Sequence, residues 1–104
     1  MAEKEEIISV LRLINTDRIG PVKFYQLIED FGSPDKAVTY LEKNAKQKPW
    51  SIENAKAEIE KANKLGINIL IYSDKEYPQA LRGDKNSPPV LYVKGDISTL
   101  NYEK

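Results

Sequence analysis

At 104 residues, the chain has room for one small domain, or for a very small domain and the beginning of another. Its 16 basic and 16 acidic side chains cancel, eight of each sign falling in residues 1–48 and eight in 49–104, which argues against a strong electrostatic footprint for nucleic acid. The absence of Cys and His excludes disulfides, thiolate chemistry, hydrolytic triads and the usual zinc sites, so no cofactor and no metal is expected.

From Glu3 to Asn15, Ile7, Ile8, Leu11 and Ile14 recur at helical spacing, with Glu5 and Glu6 near the positive end of the dipole; an amphipathic helix is predicted there. Asn15-Thr-Asp-Arg-Ile-Gly20 breaks the period, and Pro21 stands where a first helical residue can lack its amide hydrogen. A second helix is predicted to Phe31, burying Val22 or Phe24 with Leu27, Ile28 and Phe31. Gly32 reads as its left-handed cap. Ser33-Pro34 repeats the start signal for a third helix with Ala37, Val38 and Leu41 inward. Residues Asn44 to Pro49 are polar and predicted to be a loop, and Trp50 precedes a Ser51 N-cap, where it is placed to staple the fourth helix. That helix is predicted to run to Leu65 with an inner face of Ala55, Ile59, Ala62 and Leu65, and Gly66 stops it.

Beyond Gly66 the pattern changes. Ile67-Asn-Ile-Leu-Ile-Tyr72 is short, β-branched and aromatic, and predicts a strand. Asp74-Lys-Glu-Tyr-Pro-Gln-Ala-Leu81 predicts a strand exit feeding a one-turn helix opened by Pro78, and Pro88-Pro-Val-Leu-Tyr-Val-Lys-Gly-Asp96 a second strand closed by Gly95. Two strands alone are marginal in water, so the expectation is the front end of a larger protein. The fold class expected is α+β, with an all-helical bundle over 1–65 and a strand, turn, strand unit over 66–104.

The spacing Asp74, Tyr77, Pro78, Leu81, then Pro88-Pro89, Leu91-Tyr92 and Gly95-Asp96, resembles the region before the nucleotide-binding-type core of the DNA-processing protein A (Smf) family. Ile19-Gly20-Pro21 and Phe31-Gly32-Ser33 are similar to the family's helical leading domain, so the resemblance covers nearly the whole chain. It implies a sterile-alpha-motif-like or helix-hairpin-helix bundle followed by the start of a Rossmann-like domain. It implies, for the full protein, a non-enzymatic binder of single-stranded DNA that loads RecA during natural transformation, with a homodimer as a possible assembly. The family's main DNA pocket is tied to a Gly-Ser-Arg motif that no residue here matches, and the principal contacts are expected beyond Lys104.

Within the chain, Leu13 to Ile28 fits a helix, tight turn, helix unit that can set backbone amides against a phosphate, with Arg18, Gly20 and Lys23 as the DNA-contact set. Many such hairpins carry glycines on both sides of the apolar residue; here Arg18 holds the first place, and Pro21 deletes one donor. The plain alternative is that Ile19-Gly20-Pro21 only joins two packed helices. Tyr77 and Tyr92 are possible stacking platforms for bases, although the favoured reading of both is structural. Asp74 and Asp96 stand at strand ends, where local hydrogen bonding explains them better than acid-base work. Lys43 to Lys48 with Lys56, Lys61 and Lys64 could form a basic surface, but Glu53, Glu58 and Glu60 interleave and favour solvated ion pairs. A docking or self-association module is the alternative to DNA binding, supported by the balanced charge. A nucleotide hydrolase would need a glycine-rich phosphate loop with a catalytic Glu, and none is present. Met1-Ala-Glu-Lys-Glu-Glu6 lacks the pattern of a signal peptide and no apolar run reaches membrane length, so the expected address is cytoplasmic with no membrane partner.

Overall fold

The computed structural model describes residues 4–44 and 48–94. Four helices, α1 (Lys4–Ile14), α2 (Pro21–Phe31), α3 (Pro34–Asn44) and α4 (Ile52–Lys64), are followed by strands β1 (Ile67–Ile71) and β2 (Val90–Lys94), with a 3-10 turn at Gln79–Leu81 between them. The fold is α+β, a helical bundle and a two-stranded antiparallel sheet. Gly95 and Asp96, expected to close the second strand, lie outside the described residues, as does the middle of the loop before Trp50.

The start and stop signals act as their chemistry dictates. Gly32 adopts φ 92° and its N–H reaches the Ile28 carbonyl at 2.7 Å, closing α2 in the left-handed conformation. The Ser33 hydroxyl accepts the Lys36 N–H at 3.2 Å and the Ser51 hydroxyl accepts the Asn54 N–H at 3.0 Å, so α3 and α4 both begin on a serine cap. Pro78 opens the 3-10 turn, its carbonyl accepting the Leu81 N–H at 3.1 Å.

Helix α1 packs against α2, α3 and α4, and this central position broadens its buried stripe. Ile7, Val10, Leu11 and Leu13 are buried, while the expected Ile8 and Ile14 are only partly so, because neighbours on three sides draw in more than one face. On α2 the choice between Val22 and Phe24 falls to Phe24, which is fully buried, leaving Val22 exposed. Leu65 departs from the expected inner face of α4 and is 52% exposed, because it is the C-cap residue and the helix has ended before the stripe returns.

In the sheet, Ile67, Ile69 and Ile71 pair with Lys94, Tyr92 and Val90, so these side chains share one face. Ile69 and Ile71 on that face belong to the same apolar cluster as the helical core residues, and α4 packs on β1. Leu70, on the opposite face, and Tyr77, in the β1–β2 connection, are buried outside that cluster. Asp74 is buried and structural: its Oδ2 accepts the Ile71 N–H at 2.9 Å, and its N–H returns to the Ile71 carbonyl at 2.9 Å.

Arg12 ties distant segments together in a way no local pattern announces. Its Nε donates to the Trp50 carbonyl at 2.6 Å and its guanidinium forms a 2.9 Å salt bridge with Glu42, joining α1 to α3 and to the approach of α4. The Thr16 hydroxyl, itself donating to the Arg12 carbonyl at 2.6 Å, accepts the Trp50 N–H at 3.3 Å. Trp50 packs against the core from this clasp.

Candidate nucleic-acid interface

The turn between α1 and α2 is built by side chains folding back on α1. The Asn15 amide donates to the Leu11 carbonyl at 2.9 Å, the buried Thr16 bonds Arg12, and the Ile19 N–H closes on the Thr16 carbonyl at 3.1 Å. Ile19 then turns into the core, 5% exposed, and its neighbours Arg18 and Gly20 are left at the surface.

The backbone assignment of the turn differs from a glycine-led hairpin. Arg18 carries the left-handed conformation, at φ 68°, whereas Gly20 is extended at φ −98°, ψ −171°. A Cβ built on Gly20 would meet nothing within 4 Å, so the fold itself does not require glycine there. A side chain at Gly20 would enter open space.

That start is unlike those of the two serine-capped helices. Gly20 supplies no side-chain cap, the first turn holds no acidic residue, and Pro21 has no N–H. The amides of Val22 and Lys23 thus stand at the positive end of the dipole with no cap side chain from Gly20, and the exposed Lys23 adds a cation. Arg18 is exposed two residues before the cap, with the acidic Asp17 beside it. Arg18, Gly20 and Lys23 thus share the exposed surface of one turn.

A pocket of about 360 Å³ opens beside this turn, Asn15, Gly20 and Pro21 forming one wall and Pro88, Pro89 and Tyr92 the other. Arg18 and Lys23 are not part of its lining. Tyr92, expected to be structural, is 48% exposed. Its hydroxyl is held well above the ordinary tyrosine range, first by burial and then by a hydrogen bond to the Glu58 carboxylate. Glu58 is thereby engaged with β2, and among the described residues no ion pair links Glu53, Glu58 or Glu60 to Lys56, Lys61 or Lys64. The solvated ion pairs expected on α4 are therefore not formed among the described residues. Tyr77 keeps its structural role, 1% exposed with its hydroxyl donating to the Pro88 carbonyl at 2.7 Å.

Residues 4–61, spanning α1 to α3 and most of α4, match the family described as the DprA-like N-terminal HHH domain. The chain belongs to this family. No curated protein matches the sequence. The hairpin described above lies wholly inside the DprA-like segment, while β1, the β1–β2 connection and β2 lie outside it. Among the described residues no helix is long and apolar enough to cross a membrane, and no group of three metal-binding side chains converges.

Proposed function

We propose that this chain is the N-terminal part of a DNA-processing protein that binds single-stranded DNA and hands it to RecA in the cytoplasm during natural transformation, acting as a binder and not as an enzyme. The observation that carries the proposal is the DprA-like match over residues 4–61, with the uncapped start of α2 inside it. In this reading the Val22 and Lys23 amides hold one strand phosphate while Arg18 and Lys23 supply charge from either side of Gly20. Residues 66–94 are the leading strands of a Rossmann-like domain, following a helical, sterile-alpha-motif-like domain over 1–65. The principal DNA contacts and a homodimer interface belong to the longer protein. Binding by this chain alone is weak, because its net charge is zero and Asp17 stands beside Arg18.

The balanced charge favours a second reading, in which the helical surface docks a protein partner or another copy and binds no DNA. Titration of a labelled oligothymidylate at several salt concentrations separates the two. The expected result is micromolar or weaker binding, with a salt slope that falls by about 0.7 for each of Arg18→Ala and Lys23→Ala. Binding indifferent to both substitutions would overturn the hairpin assignment, and nanomolar binding by this chain would overturn the view that the principal site lies elsewhere.

A further inference from the structure

A second pocket, of about 390 Å³, lies between α2 and the β1–β2 connection, away from the hairpin turn. Tyr25 on α2, Tyr72 at the end of β1 and Tyr77 in the connection all line it. The Tyr25 and Tyr72 rings stand at 85° with centroids 5.9 Å apart, each also edge-on to the buried Phe24, at 5.4 and 5.6 Å. Two perpendicular aromatic walls suit a flat ring, which can lie on one face and meet the other edge-to-face.

The walls are set before any ligand arrives. The Tyr77 hydroxyl donates to the Pro88 carbonyl at 2.7 Å, fixing that ring in the connection on the side of the pocket opposite α2. Arg82 is held by the carbonyls of Asp74, Lys75 and Tyr77, and its guanidinium lies 5.8 Å from the centre of the Tyr77 ring. Burial, followed by the neighbouring Tyr77, holds the Tyr25 hydroxyl protonated well above the ordinary range, so that wall carries no phenolate charge.

The rim decides between a charged and a neutral occupant. Arg82 and Lys85 are matched by Glu29 and Asp84, so the rim presents two charges of each sign and no net field for a polyphosphate. The volume lies within the range of small-molecule sites, with an aromatic lining and a few polar groups to orient a ring.

We infer that this pocket binds an uncharged heteroaromatic ring of the nucleobase class, stacked in the corner formed by Tyr25 and Tyr72. The ring comes either from a free nucleoside or from a base turned out of a single strand. The site is independent of the hairpin: it shares none of the hairpin pocket's lining residues, and it stands or falls without Arg18 and Lys23.

The test is an amide-resolved NMR titration of the full 104-residue chain with adenosine, with ribose 5-phosphate and with oligothymidylate, each up to about 10 mM in base or sugar. Saturable shifts at Tyr25, Tyr72 and Gly83 are expected with a base-bearing probe and not with ribose 5-phosphate. Response to adenosine identifies a nucleoside site, and response only to oligothymidylate identifies a strand base. Leu81→Trp, which fills the pocket from its rim, should weaken binding by about tenfold or more, and Tyr25→Leu, which removes one stacking wall, should do the same. A folded spectrum of at least one variant is sufficient for the comparison. The inference is overturned if no base-bearing probe shifts the pocket amides, if ribose 5-phosphate shifts them equally, or if a folded pocket variant binds as well as the parent chain. Shifts confined to residues 18–23 would overturn it while supporting the hairpin reading.

Discussion

At Gly20, stability and nucleic-acid binding are expected to move in opposite directions. Ser33 and Ser51 each cap a helix by accepting the N–H of the third residue on, whereas Gly20 has no side chain to offer the equivalent Lys23 amide. Its backbone is extended, as the residue before a proline prefers, and a Cβ there would enter open space, so Gly20→Asp is accommodated without strain. The cap adds a few tenths of a kcal/mol over glycine, the carboxylate at the dipole about 0.3–1, and the stiffer unfolded chain about 0.4–1. The sum is about 1–2 kcal/mol, raising the melting temperature by about 5–10 °C for a domain of this size. Gly20→Ser, lacking the charge, should give about half of that.

For the strand the same change is unfavourable. A carboxylate about 5 Å from a bound phosphate opposes it by roughly 1 kcal/mol even at the dielectric constant of water, and the occupied amide removes a contact of about the same size. Affinity should drop about thirtyfold for Asp and less for Ser. Circular dichroism melting and anisotropy with a labelled oligothymidylate read the two effects on the same samples. A variant that melts higher yet binds as tightly as the parent would show that no phosphate meets the start of α2. One that melts no higher would refute the capping argument itself.

Gly32→Val should destabilise the chain by about 1 kcal/mol or more, because a β-branched residue is poorly accommodated at φ 92°, and an unchanged melting temperature would remove the capping role. Arg18→Gly should leave stability equal or raise it by up to about 1 kcal/mol, since glycine takes φ 68° without the left-handed penalty; a clear loss in urea denaturation would contradict this. Arg12→Met should cost about 1–3 kcal/mol through the orphaned Trp50 carbonyl, whereas Glu42→Ala, removing a half-exposed ion-pair partner, should cost under about 1; equal losses would place the energy in the salt bridge. The hydroxyls of Tyr25, Tyr72 and Tyr92 all have pKa values raised above 10.0 in the fold, each chiefly by burial. The folded chain keeps these protons after the unfolded chain has released them, so their contribution is intact below about pH 10 and lost above it. Urea midpoints should therefore fall through that range, and the fall should be shallower in Tyr25→Phe; a flat profile would count against the buried hydroxyls.

The helices were legible because each carries its own punctuation: Pro21, Gly32, Ser33-Pro34, Ser51 and Gly66 act within a turn of where they stand. Short β-branched runs likewise marked both strands. What could not be read is decided at long range. Arg12 finds Trp50 across 38 residues, and no spacing rule reports a partner that distant. Tyr92 looked internal because its strand is apolar, but its exposure depends on which helix happens to cover β2. The hairpin was half legible: Arg18, Gly20 and Lys23 do share an exposed turn, yet the left-handed residue is the arginine, a choice made by the burial of Ile19 and the anchoring of Thr16. The tyrosine pocket was invisible, because its walls come from segments brought together only by docking of the connection on α2.

The burial of Ile69 and Ile71 among helical side chains separates inheritance from folding. The segment that matches the DprA-like domain stops within α4, before either isoleucine. A recombination event or a cloning cut that carried only residues 4–61 would take the hairpin but strip the cover from the helices beneath β1. The uncovered surface would be an apolar patch of the kind that recruits partners or aggregates. Transplanting the hairpin to another scaffold intact therefore means carrying β1 with it.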